Sequence, residues 1–244
     1  MKSICWFRND LRVLDNPALH HCCLNSDDVI AIYFLNRKQW LEHNDAPVKI
    51  NFWLRNLECL QNELKKLNIP LVILEADNYR DTISVLKDFS IKNEIKNLYF
   101  NVEYPINELE RDRKIYTLFK ENNIGVFAYH DQVIHEPGSL KTQTGNNFSV
   151  YSPFKRKWFA ELMDEQLDIL EIPQKKKEMV MPGTELSEFL DEFSHDYADQ
   201  WPAGEEYIQN YIDEFLKFKG TTYKVKRNFP AIDATAKLSP YINA

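Results

Sequence analysis

Five short apolar runs recur along the first 130 residues, and each is continuously apolar rather than alternating with polar positions. Continuous apolar character is typical of parallel strands that are covered on both faces. The pattern therefore predicts five buried strands, over residues 3–7, 29–35, 71–75, 98–102 and 125–129.

Helical periodicity fills the intervals between these strands. The clearest helix covers residues 48–67, where apolar residues recur every three or four positions with charged residues opposite. Pro47 suits the first turn of this helix, because proline is favoured there. Further helices are predicted over residues 17–25, 80–93 and 105–122.

Alternating strands and helices of this length indicate an α/β fold with a right-handed, doubly wound five-stranded parallel sheet over residues 1–130. Residues 131–200 are rich in Pro, Gly, Asn and Lys and contain one predicted helix, over 154–163, so we interpret them as an interdomain linker. The lysine run 175–177 is typical of a solvated loop. Residues 201–244 begin a second domain. Its amphipathic first helix carries the apolar residues Tyr207, Tyr211, Ile212, Phe215, Leu216 and Phe218.

Charge and composition narrow the classes of function. A net charge of −7 gives no basic footprint, which taken alone argues against a nucleic-acid-binding surface. The chain has 6 glycines and no GxGxxG segment, so a standard NAD or ATP site is not expected. No apolar run is long enough to span a bilayer, so we expect a soluble, cytoplasmic protein. Reduced thiols and no metal site are expected, because no CxxC pair occurs among Cys5, Cys22, Cys23 and Cys59.

The charged segment after the first strand is the sharpest local signal. Ligands of open α/β sheets bind at the carboxyl ends of the strands, so charged side chains placed there either hold a ligand or brace the loop. The first apolar run ends abruptly in Arg8, Asn9, Asp10, Leu11 and Arg12.

Six segments, taken together and in order, identify a family. They are Trp6-Phe7-Arg8-Asn9-Asp10-Leu11-Arg12 with Asp15-Asn16; Arg37-Lys38-Gln39-Trp40; residues 101–108; Val150-Tyr151-Ser152-Pro153-Phe154-Lys155 with Trp158; Trp201-Pro202-Ala203-Gly204; and residues 223–239. This set resembles the DNA photolyase/cryptochrome family, most closely the class I cyclobutane-pyrimidine-dimer photolyases of bacteria. The resemblance runs along the whole chain.

The resemblance implies a light-driven lyase. In this family reduced FAD transfers an electron to a pyrimidine dimer in damaged DNA, and an antenna pigment in the Rossmann-like α/β domain collects light. The flavin and the dimer pocket lie in a helical domain that follows, so the chain resembles the N-terminal half of such a protein. We therefore expect a monomeric whole protein that binds damaged DNA, and a chain that neither binds nor repairs DNA alone. Two alternatives stay open, namely a cryptochrome-like blue-light photoreceptor and a stand-alone pterin- or nucleotide-binding module.

The resemblance assigns the antenna site to individual residues of this chain. In folate-using members, methenyltetrahydrofolate contacts positions that match Trp40, His43, Asn107 and Glu108 here. A carboxylate and a carboxamide can bind the amide and amino edge of a pterin, while Trp and His offer flat faces for stacking. A second interpretation is that Asn107 and Glu108 cap the 105–122 helix and that His43 is a loop residue. The expected antenna is 5,10-methenyltetrahydrofolate, with a deazaflavin as the alternative.

The flavin site is represented by the segment that wraps the FAD diphosphate in the family. Hydroxyls and free backbone N–H groups at a helix start suit a phosphate, although Thr235 and Ser239 are also typical helix caps. The family usually has Ser where Ala236 stands, which removes one hydroxyl but no backbone donor. The matching residues are Tyr223, Thr235, Ala236, Lys237, Leu238 and Ser239.

No catalytic residue and no metal ligand are expected within the chain. The resemblance gives Arg8, Asp10 and Arg12 a structural role, in buried or half-buried charge pairs that hold the first strand to neighbouring loops. The other histidines have no metal-like spacing and are interpreted as loop or surface residues: His20, His21, His130, His135 and His195.

Overall fold

Strands and helices alternate along the first part of the chain, as predicted. The computed structural model describes residues 1–164, 168–193 and 198–242. Its strands are β1 (Lys2–Trp6), β2 (Asp28–Leu35), β3 (Leu71–Glu75), β4 (Asn97–Asn101) and β5 (Gly125–Tyr129). Each predicted strand is confirmed with its ends within one residue of the observed bounds.

The helices around this sheet include all those predicted from periodicity. The first five are α1 (Pro17–Asn25), α2 (Arg37–Glu42), α3 (Pro47–Lys66), α4 (Tyr79–Lys92) and α5 (Ile106–Glu121). The later ones are α6 (Tyr151–Asp164), α7 (Ser187–Glu192), α8 (Glu205–Phe218), α9 (Tyr223–Lys226) and α10 (Ser239–Ile242). Three short helices, α2, α7 and α9, were not predicted, because four to six residues are too few to display a helical period.

The sheet is entirely parallel, in the order β3-β2-β1-β4-β5. β1 is therefore the central strand, and Cys5 pairs with Ala31 on one side and Tyr99 on the other. Strand order changes direction at β1, so the carboxyl ends of β1 and its neighbours form the crevice in which doubly wound folds bind ligands.

Helices cover both faces of the sheet, which confirms the doubly wound prediction. Successive side chains of a strand point to opposite faces, so each strand contributes to two cores. One core joins the sheet to α1 and α3 and includes Phe7, Leu19, Leu35, Leu54 and Leu57. The other joins it to α4 and α5 and includes Ile4, Ile32, Leu86, Ile115 and Phe119.

The linker packs against the β3 edge of the sheet. Its backbone donates from Lys176 N–H to Leu67 C=O at 2.9 Å and from Thr184 N–H to Leu71 C=O at 2.9 Å. The lysine run is therefore not simply a solvated loop, and that prediction was wrong for its middle residue. Lys176 Nζ donates to the carbonyls of Cys23 and Ser26 at 2.5 and 2.6 Å, at the C-terminal end of α1. Free carbonyls at a helix C-terminus attract a cation, which explains why this one lysine is half-buried.

The second block of the chain contacts α3. Gly204 N–H donates to Asn56 Oδ1 at 3.2 Å, and the ring of Tyr241 lies edge-on to Phe52 at 5.2 Å between centroids. Gly204 has a φ of 104°, a conformation that favours glycine, and a Cβ there would lie 3.3 Å from Cys59 Sγ. Close approach of this turn to α3 therefore requires a glycine.

Most of α8 remains in contact with solvent, and none of its residues is buried. Leu216 and Phe218 are 60% and 67% exposed. An amphipathic helix whose apolar side chains are exposed lacks a packing partner on that face. Among the described helices, none has the length and apolar character needed to cross a membrane.

Candidate functional site

A cavity of about 860 Å³ opens at the carboxyl ends of β1, β2 and β4. Its position follows from the topology, because the loops after these three strands separate where the strand order changes direction. The loop after β1 contributes Arg8, Asn9 and Arg12, and α2, which follows β2, contributes Gln39 and Trp40.

Two arginines and one carboxylate line the floor of this cavity, namely Arg8, Arg111 and Glu103, and Asp112, which is outside the lining, pairs with both arginines. Arg8 Nη1 lies 2.9 and 2.8 Å from the two carboxylate oxygens of Asp112, and 3.4 Å from Glu103 Oε2. Arg111 donates to Glu103 Oε2 and to Asp112 Oδ1, both at 2.9 Å. All four residues are buried. Because the two positive charges are paired with two negative ones, this floor is not a free anion site.

Asp10 braces the same loop through neutral donors. Its carboxylate accepts from Arg8 N–H at 2.7 Å and from the side chains of Asn101 at 2.6 Å and Asn16 at 3.2 Å. Asn16 also caps α1, because its side chain accepts from Leu19 N–H. The charged segment after β1 thus joins β4 and α1, in agreement with the bracing role expected for it.

Arg12 forms the third of these connections, at the rim of the cavity. Its guanidinium pairs with Asp131 at 2.5 Å and donates to the carbonyl of Asp15 at 2.6 Å. Burial, the largest single effect, lowers the pKa of Arg12, but the hydrogen bond to Asp131 and the charges of Asp131, Asp10 and Asp15 together outweigh it, so the net shift is upward. The expected charge pairs of Arg8 and Arg12 are therefore confirmed.

Aromatic side chains form one wall of the cavity. Trp40 is 9% exposed and lies 6.5 Å from the ring of Trp53 and 5.6 Å from that of Phe193, between centroids. Lys49 Nζ lies 4.4 Å from the centre of the Trp53 ring. These flat faces suit a planar heterocyclic ligand.

The predicted antenna residues lie around this cavity and a smaller one beside it. Trp40, His43 and Glu108 line the large cavity, whereas Asn107 lines an adjacent cavity of about 330 Å³ that His43 also borders. The alternative interpretation of Asn107 and Glu108 as caps was wrong, since α5 begins after Pro105 with no side-chain capping bond.

Sequence reasoning missed three residues that border both cavities. These are Gln39, Tyr79 and Arg111. The Tyr79 hydroxyl donates to Glu108 Oε1 at 2.9 Å, and burial, with Glu108 as the second cause, raises the pKa of Tyr79 to about 12. Gln39 belongs to the family segment Arg37-Lys38-Gln39-Trp40, but it was not assigned to the site, because the three residues come from three helices that only the fold brings together.

The predicted flavin residues form a separate group in the C-terminal segment. Tyr223 packs edge-on against Phe215 at 5.9 Å between centroids. Lys237 has a φ of 48° and pairs with Asp233 at 3.0 Å, and Lys219 pairs with the same carboxylate at 2.7 Å. A helix start was predicted around Thr235–Ser239. The structure has a four-residue helix there, α10, which begins at Ser239.

The interpretation of the histidines as loop or surface residues was wrong for His20 and His21, which lie half-buried in α1, where the helix packs on the sheet. His130 Nδ1 is 2.8 Å from the Tyr104 hydroxyl, and His21 stacks on Tyr129 at 4.6 Å between centroids. His195 lies outside the described residues. Within the described ranges, no three His, Cys, Asp or Glu side chains are grouped as a metal site requires.

Comparison with known proteins points to one family. The family model for DNA photolyase matches residues 3–176. The deoxyribodipyrimidine photo-lyase of Buchnera aphidicola from Acyrthosiphon pisum is 33% identical, over 100% of this chain and 50% of the relative. The deoxyribodipyrimidine photo-lyase of Escherichia coli K12 is 29% identical, over 96% of this chain and 49% of the relative. The chain spans about half the length of the curated relatives it matches.

A solved structure agrees with these matches. The bacterial class III photolyase of Agrobacterium tumefaciens superposes with a TM-score of 0.79 at 26% identity, covering 99% of this chain and 50% of that one. The family match, the sequence similarity along the whole chain and the shared α/β architecture lead to the same assignment. The chain belongs to the DNA photolyase family.

Proposed function

We propose that this chain works in the light-driven, FAD-dependent repair of cyclobutane pyrimidine dimers in DNA, as the antenna-bearing half of a deoxyribodipyrimidine photo-lyase. The observation that carries the proposal is 33% identity to such an enzyme over 100% of the chain. The cavity at the carboxyl edge of the sheet supports it, because it is a built site of suitable size for a planar chromophore.

The antenna proposed for this cavity is 5,10-methenyltetrahydrofolate, held by Trp40, His43, Asn107 and Glu108. When bound, the chromophore absorbs light and passes the excitation to the flavin. The residues fit a pterin, since Glu108 supplies a carboxylate acceptor and Trp40 belongs to an aromatic wall. The buried Gln39 Oε1, which accepts no hydrogen bond from the described residues, is a further acceptor for a ligand. A deazaflavin is the alternative antenna.

The proposed flavin contacts are Tyr223, Thr235, Ala236, Lys237, Leu238 and Ser239. When bound, reduced FAD supplies the electron for dimer cleavage. Lys237 is exposed and carries the positive charge that a diphosphate requires, although a bound diphosphate would compete for it with Asp233, 3.0 Å away. No residue described here is assigned to bond cleavage, and residues 1–244 alone are expected to repair nothing.

Damaged DNA is the proposed partner of the whole protein, which we place in the cytoplasm as a monomer. The net charge of −7 indicates that this chain does not provide the main DNA-binding face. Residues 131–200 serve in this proposal as the linker between the antenna domain and the helical domain that begins at residue 201.

Light-dependent repair by the whole protein tests the proposal. Purified flavin-loaded protein is incubated with an oligonucleotide carrying thymine dimers, in blue light and in the dark. We expect the dimers to disappear only in the light. Flavin photoreduction without repair would favour a cryptochrome-like photoreceptor, and pterin binding without any flavin would favour a stand-alone module. Robust repair by residues 1–244 alone would contradict the assignment of chemistry to the helical domain.

A further inference from the structure

The Tyr79 hydroxyl lies beside two side chains that border the antenna cavity. It lies 2.9 Å from Glu108 Oε1, in the first turn of α5. The Gln39 side chain, from α2, is the second neighbour, and it lowers the pKa of Tyr79 against the larger effects of burial and Glu108. Gln39, Tyr79 and Glu108 all line the cavity of about 860 Å³.

Proton counting decides the direction of the hydrogen bond between Tyr79 and Glu108. A tyrosine hydroxyl has one proton, and a carboxylate has none, so Tyr79 donates to Glu108. The Gln39 carbonyl oxygen is a further acceptor at the same cavity, and it is buried and without a partner among the described residues. An unpaired buried acceptor is costly unless a ligand or water supplies a donor.

The Tyr79 ring is itself held in place. The Arg111 guanidinium lies 4.8 Å from the centre of this ring and 4.6 Å from that of Trp6. Salt bridges of Arg111 to Glu103 and Asp112, both at 2.9 Å, prevent the guanidinium from moving. The hydroxyl of Tyr79 is thus presented in one orientation.

Two hydrogen-bond acceptors in the cavity are matched by a ligand edge that carries two hydrogen-bond donors. In the described structure the hydrogen bond to Glu108 uses Oε1, so Oε2 and the Gln39 carbonyl are the acceptors available to a ligand. A pterin presents an amino group beside a ring N–H, whereas a deazaflavin presents one imide N–H between two carbonyls. Two carbonyls facing two acceptors would leave both acceptors unpaired, which penalises the deazaflavin.

We propose that Tyr79 is a positioning residue and Gln39 a specificity-determining residue for the antenna ligand, and that together with Glu108 they select a pterin over a deazaflavin. This inference rests on the proposed antenna function of the cavity. Tyr79 acts through Glu108, whose carboxylate it orients, and Gln39 contacts the ligand directly.

Chromophore titrations of the whole protein test the inference. The dissociation constants for 5,10-methenyltetrahydrofolate and for a deazaflavin are measured by the absorption of the bound chromophore, in wild type, Tyr79→Phe, Gln39→Met, Glu108→Gln and the double variant Tyr79→Phe/Glu108→Gln. Tyr116→Phe is the matched control, because Tyr116 is 54% exposed on α5. Circular dichroism verifies that each variant is folded.

We expect tighter folate than deazaflavin binding in wild type. Tyr79→Phe and Gln39→Met should each weaken folate binding about tenfold, the effect of one hydrogen bond, and reduce the preference for folate. Tyr116→Phe should bind as wild type does. If Tyr79 acts through Glu108, the double variant should be no weaker than Glu108→Gln alone.

Several outcomes would overturn the inference. These are wild-type folate affinity in Tyr79→Phe or Gln39→Met, additive losses in the double variant, and a wild-type preference for the deazaflavin. Dimer repair by wild type under light that the flavin absorbs directly tests the proposed function separately. Repair without selective folate binding would contradict only this inference, and selective folate binding without repair would contradict only the proposed function.

Discussion

Arg8 illustrates how one side chain determines the shape of the cavity floor. Its guanidinium contacts Asp112 and Glu103 and lies 4.9 and 4.6 Å from the ring centres of Trp6 and Phe100. A buried ion pair adds little net stability, because desolvation offsets the attraction between the charges. Loss of one partner is different, since it leaves the other charge buried and unpaired.

Arg8→Ala is therefore expected to lower the free energy of unfolding by about 3–5 kcal/mol. Arg113→Ala, at an exposed position of α5, should change it by no more than about 0.5 kcal/mol. Urea denaturation followed by circular dichroism measures both. Equal, small effects of the two substitutions would show that Asp112 and Glu103 find other partners or water.

Lys176 allows a comparison within a single lysine run. Lys176→Met keeps the aliphatic stem but removes the ammonium group that binds the carbonyls of Cys23 and Ser26. The free energy of unfolding should fall by about 2 kcal/mol, as for hydrogen bonds from a charged donor. Lys175→Met, at an exposed neighbouring position, should be nearly neutral. Indistinguishable urea midpoints for the two variants would contradict the stabilising role of Lys176 at the C-terminal end of α1.

At the scale of elements, the linker protects one edge of the sheet. Exposed edge strands carry unpaired backbone groups that invite aggregation, and proteins cover them with loops or helices. Thr184 does this for β3 through two hydrogen bonds, while a third joins it to α3. Its N–H donates to Leu71 C=O, its hydroxyl accepts from Ile73 N–H at 2.9 Å, and its carbonyl accepts from Gln61 Nε2 at 2.7 Å.

Thr184→Val keeps the size of the side chain and removes the hydroxyl that serves the β3 backbone. Leaving Ile73 N–H without a partner should cost about 1–3 kcal/mol in the free energy of unfolding. Hydrogen exchange at this amide should also accelerate. Thr184→Ser retains the hydroxyl and is the control. Unchanged exchange at Ile73 in the valine variant would indicate that β3 does not depend on the linker for its protection.

At the scale of the whole molecule, buried groups that stay neutral determine the response to alkali. Burial raises the pKa of Cys23 from its ordinary value of 9.0 to about 11. Burial, followed by the neighbouring Glu108, raises that of Tyr79 from 10.0 to about 12. Because the folded state favours the neutral forms, it gains stability from them below the unfolded pKa values, and loses it as pH rises toward the folded ones.

The contribution of these two groups to folding stability should therefore be constant below about pH 9 and decline between about pH 9 and pH 12. The urea midpoint measured in steps across this window tests the expectation. Tyr79→Phe should flatten the upper part of the decline, from pH 10 to 12. A stability that rises through this window would contradict the sign of both pKa shifts.

Much of the architecture is encoded locally and could be predicted. Continuous apolar runs identified all five strands to within one residue, and the apolar face of α3 was evident from a period that its Leu54, Leu57 and Leu64 share. The motif after β1, with the five later segments, identified the family. These signals are local because hydrophobic periodicity is imposed by secondary structure on residues close together in the chain.

The candidate site could be predicted only in part. Trp40, His43, Asn107 and Glu108 came from resemblance, and the structure places three of them at one cavity and Asn107 at its neighbour. Tyr79 was missed because nothing near it in the chain distinguishes it from an ordinary helix residue. Gln39 was missed although it directly precedes Trp40 in a family segment, because the segment alone does not show which of its side chains border a cavity.

The sequence by itself determined the class of fold, its strands and the family, since local periodicity or contiguous motifs indicate each of them. Only the tertiary structure decided the strand order, the contact of Lys176 with the C-terminal end of α1 and the pairing of Arg8 with Asp112, 104 positions away. It also decided that Gln39, Tyr79 and Glu108 meet at one cavity. The physical reason is that hydrogen bonds and ion pairs form between groups close in space, and chain topology, not local pattern, sets which groups those are.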